Sequence, residues 1–161
     1  MSGTNLPAVL LVEDSPHDID FARRAFARCR VEHLLIVAEE GDRAWELLSG
    51  EDRLRPALVL LDLNIPGLSG VELLERLKQD RLLSTIPVVI LTTSAQTTDV
   101  AACYRRGANS YHQKPTDFRA YQETIRKIVD YWLGSIVPPP GREGASAPRR
   151  GGIRRRPRCI P

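Results

Sequence analysis

The sequence predicts an α/β fold, a doubly wound parallel sheet with helices on both faces, on three observations. Five short apolar runs alternate strictly with segments whose apolar residues recur at helical spacing. Such alternation implies parallel strands joined by right-handed crossovers. The longest runs, PAVLLVE (7–13), ALVLLD (57–62) and IPVVIL (86–91), are continuous rather than alternating, as strands buried on both faces require. Polar residues with chemical capability follow these runs directly, at the carboxyl edge where open parallel sheets bind ligands.

Each element has its own signal. The first strand, Pro7 to Glu13, ends in the acid pair Glu13-Asp14. Ser15 is a good N-cap, Pro16 suits the first helical position and Asp18 favours the first turn. Ile19, Ala22, Phe26 and Cys29 then form the inward stripe of a helix, with Arg23, Arg24 and Arg28 outside it. His33 to Ala38 is a second strand. A helix follows from about Asp42, with Ala44, Leu47 and Leu48 inward and Gly50 closing it. The third strand includes Val59 to Leu61 and delivers Asp62 to a turn through Asn64, Ile65, Pro66 and Gly67. Ser69 and Glu72 have the spacing of a capping box and open a helix with Val71, Leu74 and Leu77 on one face. The fourth strand, Ile86 to Leu91, ends in Thr92-Thr93-Ser94. A helix from about Thr97 carries Val100, Cys103 and Tyr104 and stops at Gly107. Ala108 to Gln113 is a short, more polar fifth strand, ended by Lys114-Pro115. Asp117 caps a last helix with the stripe Phe118, Tyr121, Ile125, Ile128, Val129 and Trp132, closed by Gly134.

Composition narrows the class. A chain of 161 residues, 42% hydrophobic and 27% charged, holds one soluble domain with a real core. No apolar run approaches the roughly 20 residues of a membrane helix. The start, MSGTNLPAV, lacks a charged and then apolar leader, which predicts no secretion signal. Three scattered cysteines, Cys29, Cys103 and Cys159, form no metal spacing and no disulfide framework, which fits a reducing cytoplasm. From Pro138 onward, seven arginines and one glutamate carry 7 − 1 = +6, so the remainder of the +3 chain carries 3 − 6 = −3. Residues 1–6 read as a lead, 7–137 as the domain and 138–161 as a basic Pro/Gly/Arg-rich tail, disordered by composition. Such a tail could attract a polyanion, but it lacks the aromatic interleaving of a base-stacking surface. Nucleic acid and membrane are therefore not expected partners of the domain.

The strand ends define the chemistry. In the flavodoxin-like order 2-1-3-4-5, the first and third strands are neighbours beside the topological switch point. Glu13, Asp14 and Asp62 then meet at one edge. Three close carboxylates repel unless a cation joins them, and Mg²⁺ suits a few carboxylate oxygens with several waters. Lys114 adds a positive charge and Thr92 a hydroxyl. Carboxylate, Mg²⁺, lysine and hydroxyl together suit phosphoryl transfer, where positioning and charge neutralisation do most of the catalysis. A carboxylate can itself be the nucleophile.

These residues resemble the receiver domain of two-component response regulators over about Pro7 to Leu133. The resemblance rests on Glu13-Asp14, on Asp62-Leu63-Asn64-Ile65-Pro66-Gly67 followed by Gly70, on Leu91-Thr92-Thr93-Ser94, on Gly107-Ala108, on Tyr111 and on Lys114-Pro115. The spacing carries most of the specificity: 30 residues from Asp62 to Thr92 and 22 from Thr92 to Lys114. The resemblance implies that Asp62 accepts the phosphoryl group, with a histidine kinase's phosphohistidine as donor. It implies a Mg²⁺ site of Glu13, Asp14, Asp62 and the backbone carbonyl of Asn64. Lys114 then contacts phosphate, through a cis bond to Pro115. Thr92 and Tyr111 form the switch, the hydroxyl moving onto the phosphoryl group and the ring turning inward. Thr93 is small and leaves the acceptor open, and the side chains of Asn64 and Ser94 tune dephosphorylation. A surface of the fourth helix, fifth strand and fifth helix is implied as the output face and as a candidate homodimer face. Separately, two large aromatics near the end of the last helix, Tyr131 and Trp132, exceed what one packed face needs and predict a dimer or kinase contact.

The segments DLNIPGLSG, IPVVILTTS, GANSYHQKP and Tyr131-Trp132-Leu133 are similar to single-domain regulators paired with phytochrome-type histidine kinases. His112-Gln113 departs from the apolar pair most receivers place before the lysine. The implied function is a phosphoacceptor switch that catalyses only its own phosphorylation and dephosphorylation. A phosphorelay intermediate or phosphate sink is the alternative. An aspartate-nucleophile phosphatase would want an acid where Asn64 stands, and a flavin-phosphate module a Ser/Thr/Gly-rich loop where Glu13-Asp14 stands. His17, His33 and His112 share no metal spacing.

Overall fold

The computed structural model describes residues 6–140. The expected lead and most of the basic tail lie outside the described residues. Five strands, β1 (Ala8–Val12), β2 (Leu34–Ala38), β3 (Leu58–Leu61), β4 (Val88–Thr92) and β5 (Ser110–Gln113), alternate with α1 (Pro16–Ala27), α2 (Gly41–Ser49), α3 (Gly70–Gln79), α4 (Thr97–Arg105) and α5 (Phe118–Val129). The sheet is parallel throughout, in the expected order β2-β1-β3-β4-β5.

Period-two strand geometry divides the core into two layers. Leu10, Val12, Val59 and Leu61 face α2, α3 and α4, packing with Ala44, Leu48, Leu74, Leu77 and Cys103. Val9, Leu11, Leu58 and Leu60 face α1 and α5, packing with Ala22, Phe26, Tyr121, Ile125 and Val129. Strands β1, β3 and β4 are buried at every position, which is why they read as unbroken apolar runs. Strand β5 lies at the sheet edge and no position in it is fully buried, which explains its polar sequence.

The caps follow the local chemistry. Ser15 accepts from the Asp18 backbone N–H and Asp117 from that of Ala120. The Ser69–Glu72 capping box is complete in both directions. Gly107, with φ of +95°, takes the left-handed conformation that ends α4.

Four expectations are corrected. Gly50 ends α2 in extended backbone, with φ of −66°, so a left-handed cap is not what glycine supplies there. Gly134 does not close α5: the chain runs on from Val129 into a π-helical turn, Asp130–Ser135. Of the stripe on α4 only Cys103 is buried, and Tyr104 is exposed; the helix covers the sheet with one residue because its other faces meet solvent. The Lys114–Pro115 bond is trans, as is every described peptide bond. A trans X–Pro bond is intrinsically favoured by about 0.5–1 kcal/mol, and Lys114 reaches its partners with it.

Candidate functional site

Parallel pairing builds the site. Leu61 is in register with Val12, and the Asp62 N–H donates to the Val12 carbonyl at 3.0 Å. The Glu13 N–H donates to the Ala38 carbonyl at 3.0 Å. The ladder thus continues past both strand ends and sets the two carboxylates side by side. Asp14 follows on the exposed rim. One oxygen from each of Glu13, Asp14 and Asp62 lies within 4.8 Å of the others. Glu13 and Asp62 are only 2% and 7% exposed, a burial that carboxylates tolerate only with partners.

Lys114 supplies the partner. Its N–H donates to the Thr92 carbonyl at 2.7 Å, holding the residue at the end of β5. Its buried ammonium donates to Asp62 Oδ2 at 2.7 Å, to Asp18 Oδ2 at 2.9 Å and to Glu13 Oε2. Burial alone would push the lysine down, yet the bonds to Asp62, Glu13 and Asp18 hold its ammonium well above the usual lysine range. Burial pushes the Glu13 carboxyl up, against the pull of Lys114. Burial also opposes the charged form of Asp18, but the Lys114 bond outweighs it and the carboxyl stays below its ordinary value.

The remaining oxygens are aimed by backbone. Asp62 Oδ1 accepts from the Asn64 N–H at 3.1 Å, which turns the loop back over the carboxylate, and Glu13 Oε1 accepts from the Ser15 N–H at 3.1 Å. The Asn64 side chain is exposed. Gly70 is required by close approach: a Cβ there would lie 2.3 Å from the Asp62 carbonyl oxygen. Three hard oxygen donors in one buried-to-rim cluster fit a divalent cation with several waters, and Mg²⁺ is the ion this donor set suits.

Thr92 ends β4 beside these acids. It is fully buried, and its hydroxyl has no hydrogen-bond partner among the described residues. Thr93 next to it is exposed. The Tyr111 ring packs against the core layer of α2, α3 and α4, and its hydroxyl donates to the Ser94 carbonyl at 2.9 Å. Ser94 Oγ donates to Asp99 Oδ2 at 2.5 Å. His112 is half-buried and lines a cavity of about 340 Å³ with Ser110, Lys127, Ile128, Tyr131 and Trp132. Trp132 packs at the rim of the core, and exposed Tyr131 meets it edge-on, ring centroids 5.0 Å apart.

Glu13, Asp14, Asp62 and Lys114 therefore converge on the carboxyl edge, and Thr92 ends the adjoining strand. Tyr111 lies within β5, with its ring in the core layer and its hydroxyl on the Ser94 carbonyl. Two contributors escaped the sequence reading. Asp18 looked like a helix-dipole acid, although its position one turn after Asp14 was a usable signal. Asp42 was read only as the start of α2; its Oδ2 accepts from the Leu68 N–H at 3.0 Å in the loop that follows Asp62.

Residues 9–126 match the response regulator receiver domain family. The chain is 36% identical over 135 residues to response regulator Rcp1 of Synechocystis sp. (strain ATCC 27184 / PCC 6803 / Kazusa), covering 81% of this chain and 92% of that protein. It is 37% identical over 129 residues to the probable methanogenesis regulatory protein FilR2 of Methanothrix harundinacea (strain 6Ac), covering 78% and 83%. The crystal structure of the Mn²⁺-bound form of Rcp1 superposes with a TM-score of 0.78 at 35% identity, over 83% of this chain and 99% of that one. The phosphorylated cyanobacterial phytochrome response regulator RcpA superposes with a TM-score of 0.79 at 33% identity, over the same shares. The chain belongs to the response regulator receiver family. Among the described residues, no helix is long and apolar enough to cross a membrane.

Proposed function

We propose that this chain, with residues 7–137 as its receiver domain, is a cytoplasmic switch that accepts a phosphoryl group on Asp62 from a histidine kinase. One observation carries the reading: Asp62 Oδ2 sits 2.7 Å from the Lys114 ammonium, in a cluster whose other acids, Glu13 and Asp14, suit Mg²⁺. Asp62 Oδ2 attacks the phosphorus of a phosphohistidine; an O–P bond forms, the N–P bond breaks, and the imidazole leaves. Lys114 turns its ammonium from Asp62 to the transferred oxygens. Glu13, Asp14 and Asp62, with the Asn64 carbonyl, would hold Mg²⁺, which would supply charge neutralisation at the phosphoryl oxygens. The same groups let the domain catalyse its own phosphorylation and, with water, its dephosphorylation.

The signal leaves through Thr92 and Tyr111. The unpartnered Thr92 hydroxyl gains a bond to a phosphoryl oxygen, and Tyr111 follows it. Their movement reshapes the surface of α4, β5 and α5, a population shift between packed states. Exposed Tyr104 and Tyr131 support that surface as a homodimer face. Similarity to RcpA, a phytochrome response regulator by its description, supports a phytochrome-type kinase as donor.

Incubation with Mg²⁺ and a small acyl phosphate, followed by intact-mass measurement, tests the reading. One added phosphoryl group is expected, absent from Asp62→Asn and after chelation. No labelling, or equal labelling of Asp62→Asn, refutes it.

A further inference from the structure

We infer that Asp18 is a positioning residue for Lys114: it holds the lysine ammonium in the site when the cation and the phosphoryl group draw on the lysine's other partners. The inference rests on the receiver reading of the same site.

An ammonium has three N–H donors, and Lys114 gives one each to Glu13, Asp62 and Asp18. Glu13 and Asp62 belong to the acid cluster that suits a cation, and Asp18 does not. Each of those two carboxylates has one oxygen committed to a backbone N–H, of Ser15 or of Asn64. Glu13 and Asp62 are therefore shared between the lysine and a cation, and Asp62 Oδ2, which serves the lysine, is also the oxygen proposed to take the phosphoryl group. Asp18 Oδ2 escapes that competition.

Its position is built, not incidental. Pro16 and the Ser15 cap fix the first turn of α1, and Ser15 Oγ accepts from the Asp18 N–H at 3.3 Å. One turn on, Phe21 meets Phe118 and Tyr121 of α5, with ring centroids 5.0 and 5.7 Å apart. This seam locks α1 against the helix that begins four residues past Lys114. Asp18 and Lys114 share the wall of an open groove beside the acceptor, with His17, Phe21 and Thr93. The other Asp18 oxygen lies 3.4 Å from His17 Nδ1, so Oδ2 is left to the lysine.

Asp18→Ala and Asp18→Asn decide the matter. Both remove one negative charge near the incoming phosphate, but only asparagine keeps an acceptor for the ammonium. Initial rates of phosphorylation by acetyl phosphate at saturating Mg²⁺ are compared, well below either variant's unfolding. The alanine variant is expected to be slower than the asparagine variant by roughly the tenfold that one hydrogen bond to a charged group supports. The ¹⁵Nζ signal of Lys114 in the Mg²⁺-saturated, unphosphorylated protein, where the cation draws on Glu13 and Asp62, should persist in wild type and Asp18→Asn and be lost to exchange in Asp18→Ala. Equal rates in the two variants, or a signal retained in Asp18→Ala, overturns the inference. If wild type takes no phosphoryl group, the receiver reading fails by itself, and the Lys114 signal alone decides the role of Asp18.

Discussion

Asp42 of α2 accepts a hydrogen bond from the Leu68 backbone N–H, 26 residues away, at 3.0 Å. The neighbouring Gly41 N–H donates to the Pro66 carbonyl at 3.2 Å. Together they fasten the loop that leaves Asp62 to the start of α2. Asp42→Ala is expected to cost about 1.5 kcal/mol, the usual net value for a hydrogen bond to a charged group. It should also weaken Mg²⁺ binding several-fold through the loosened Asn64 segment, whereas Asp42→Asn keeps both. Urea unfolding and a Mg²⁺ titration by intrinsic fluorescence measure the two effects.

Two glycines should behave oppositely. A Cβ at Gly70 would press on the Asp62 carbonyl, and one at Gly134 would meet only Val31 Cγ2 at an ordinary 3.7 Å. Gly70→Ala is expected to destabilise by about 1–3 kcal/mol through overpacking, and to lower the phosphorylation rate because the displaced backbone is that of the acceptor itself. Gly134→Ala should leave the rate unchanged. Thermal unfolding beside acetyl phosphate labelling separates them.

Thr92→Val replaces a buried hydroxyl that has no partner among the described residues by a methyl group. Removing an unsatisfied buried polar group is expected to stabilise the unphosphorylated protein by about 1 kcal/mol. The same change should abolish the response of Tyr111 to phosphorylation, because no hydroxyl is left to move. Urea midpoints give the first effect, and the change in Tyr111 ring resonances on adding beryllofluoride gives the second.

Tyr111→Phe removes the bond to the Ser94 carbonyl and keeps the ring in the core. A loss of about 1 kcal/mol is expected, with the phosphorylation rate of Asp62 unchanged. Tyr111→Ala should lose more, roughly 3 kcal/mol, because it also opens a cavity.

Burial holds the His112 imidazole below its ordinary value. The unfolded chain therefore takes up a proton, at about pH 6.5, that the folded state refuses. Stability should fall as pH drops below that point, until the folded histidine also titrates. His112→Gln should flatten that part of the profile, read as urea midpoints between about pH 7.5 and pH 5.

Much of the site was legible because it lies at strand ends. Continuous apolar runs mark β1, β3 and β4 as doubly covered strands, and the residue after each run is placed by that assignment alone. Glu13, Asp62 and Thr92 could thus be assigned to one edge from sequence. Lys114 needed the weaker fifth strand, whose polarity reflects its edge position. Helix ends were less legible. Gly50 and Gly134 carry the residue type of a left-handed cap, yet neither adopts it, since glycine permits that conformation without requiring it.

The sequence by itself determined the α/β class, because hydrophobic period and strand–helix alternation are local properties of the chain; with the flavodoxin-like strand order assumed, it also determined the set of groups at the carboxyl edge. Only the tertiary structure decided that Asp18 and not Asp14 holds the lysine, that Asp42 pins the acceptor loop, and that the Thr92 hydroxyl stands unpartnered. These depend on where a side chain from one element meets another many residues away. The long-range partners of Asp18 and Asp42 are set by the packing of α1 on α5 and of α2 on the loop, not by their neighbours in the chain.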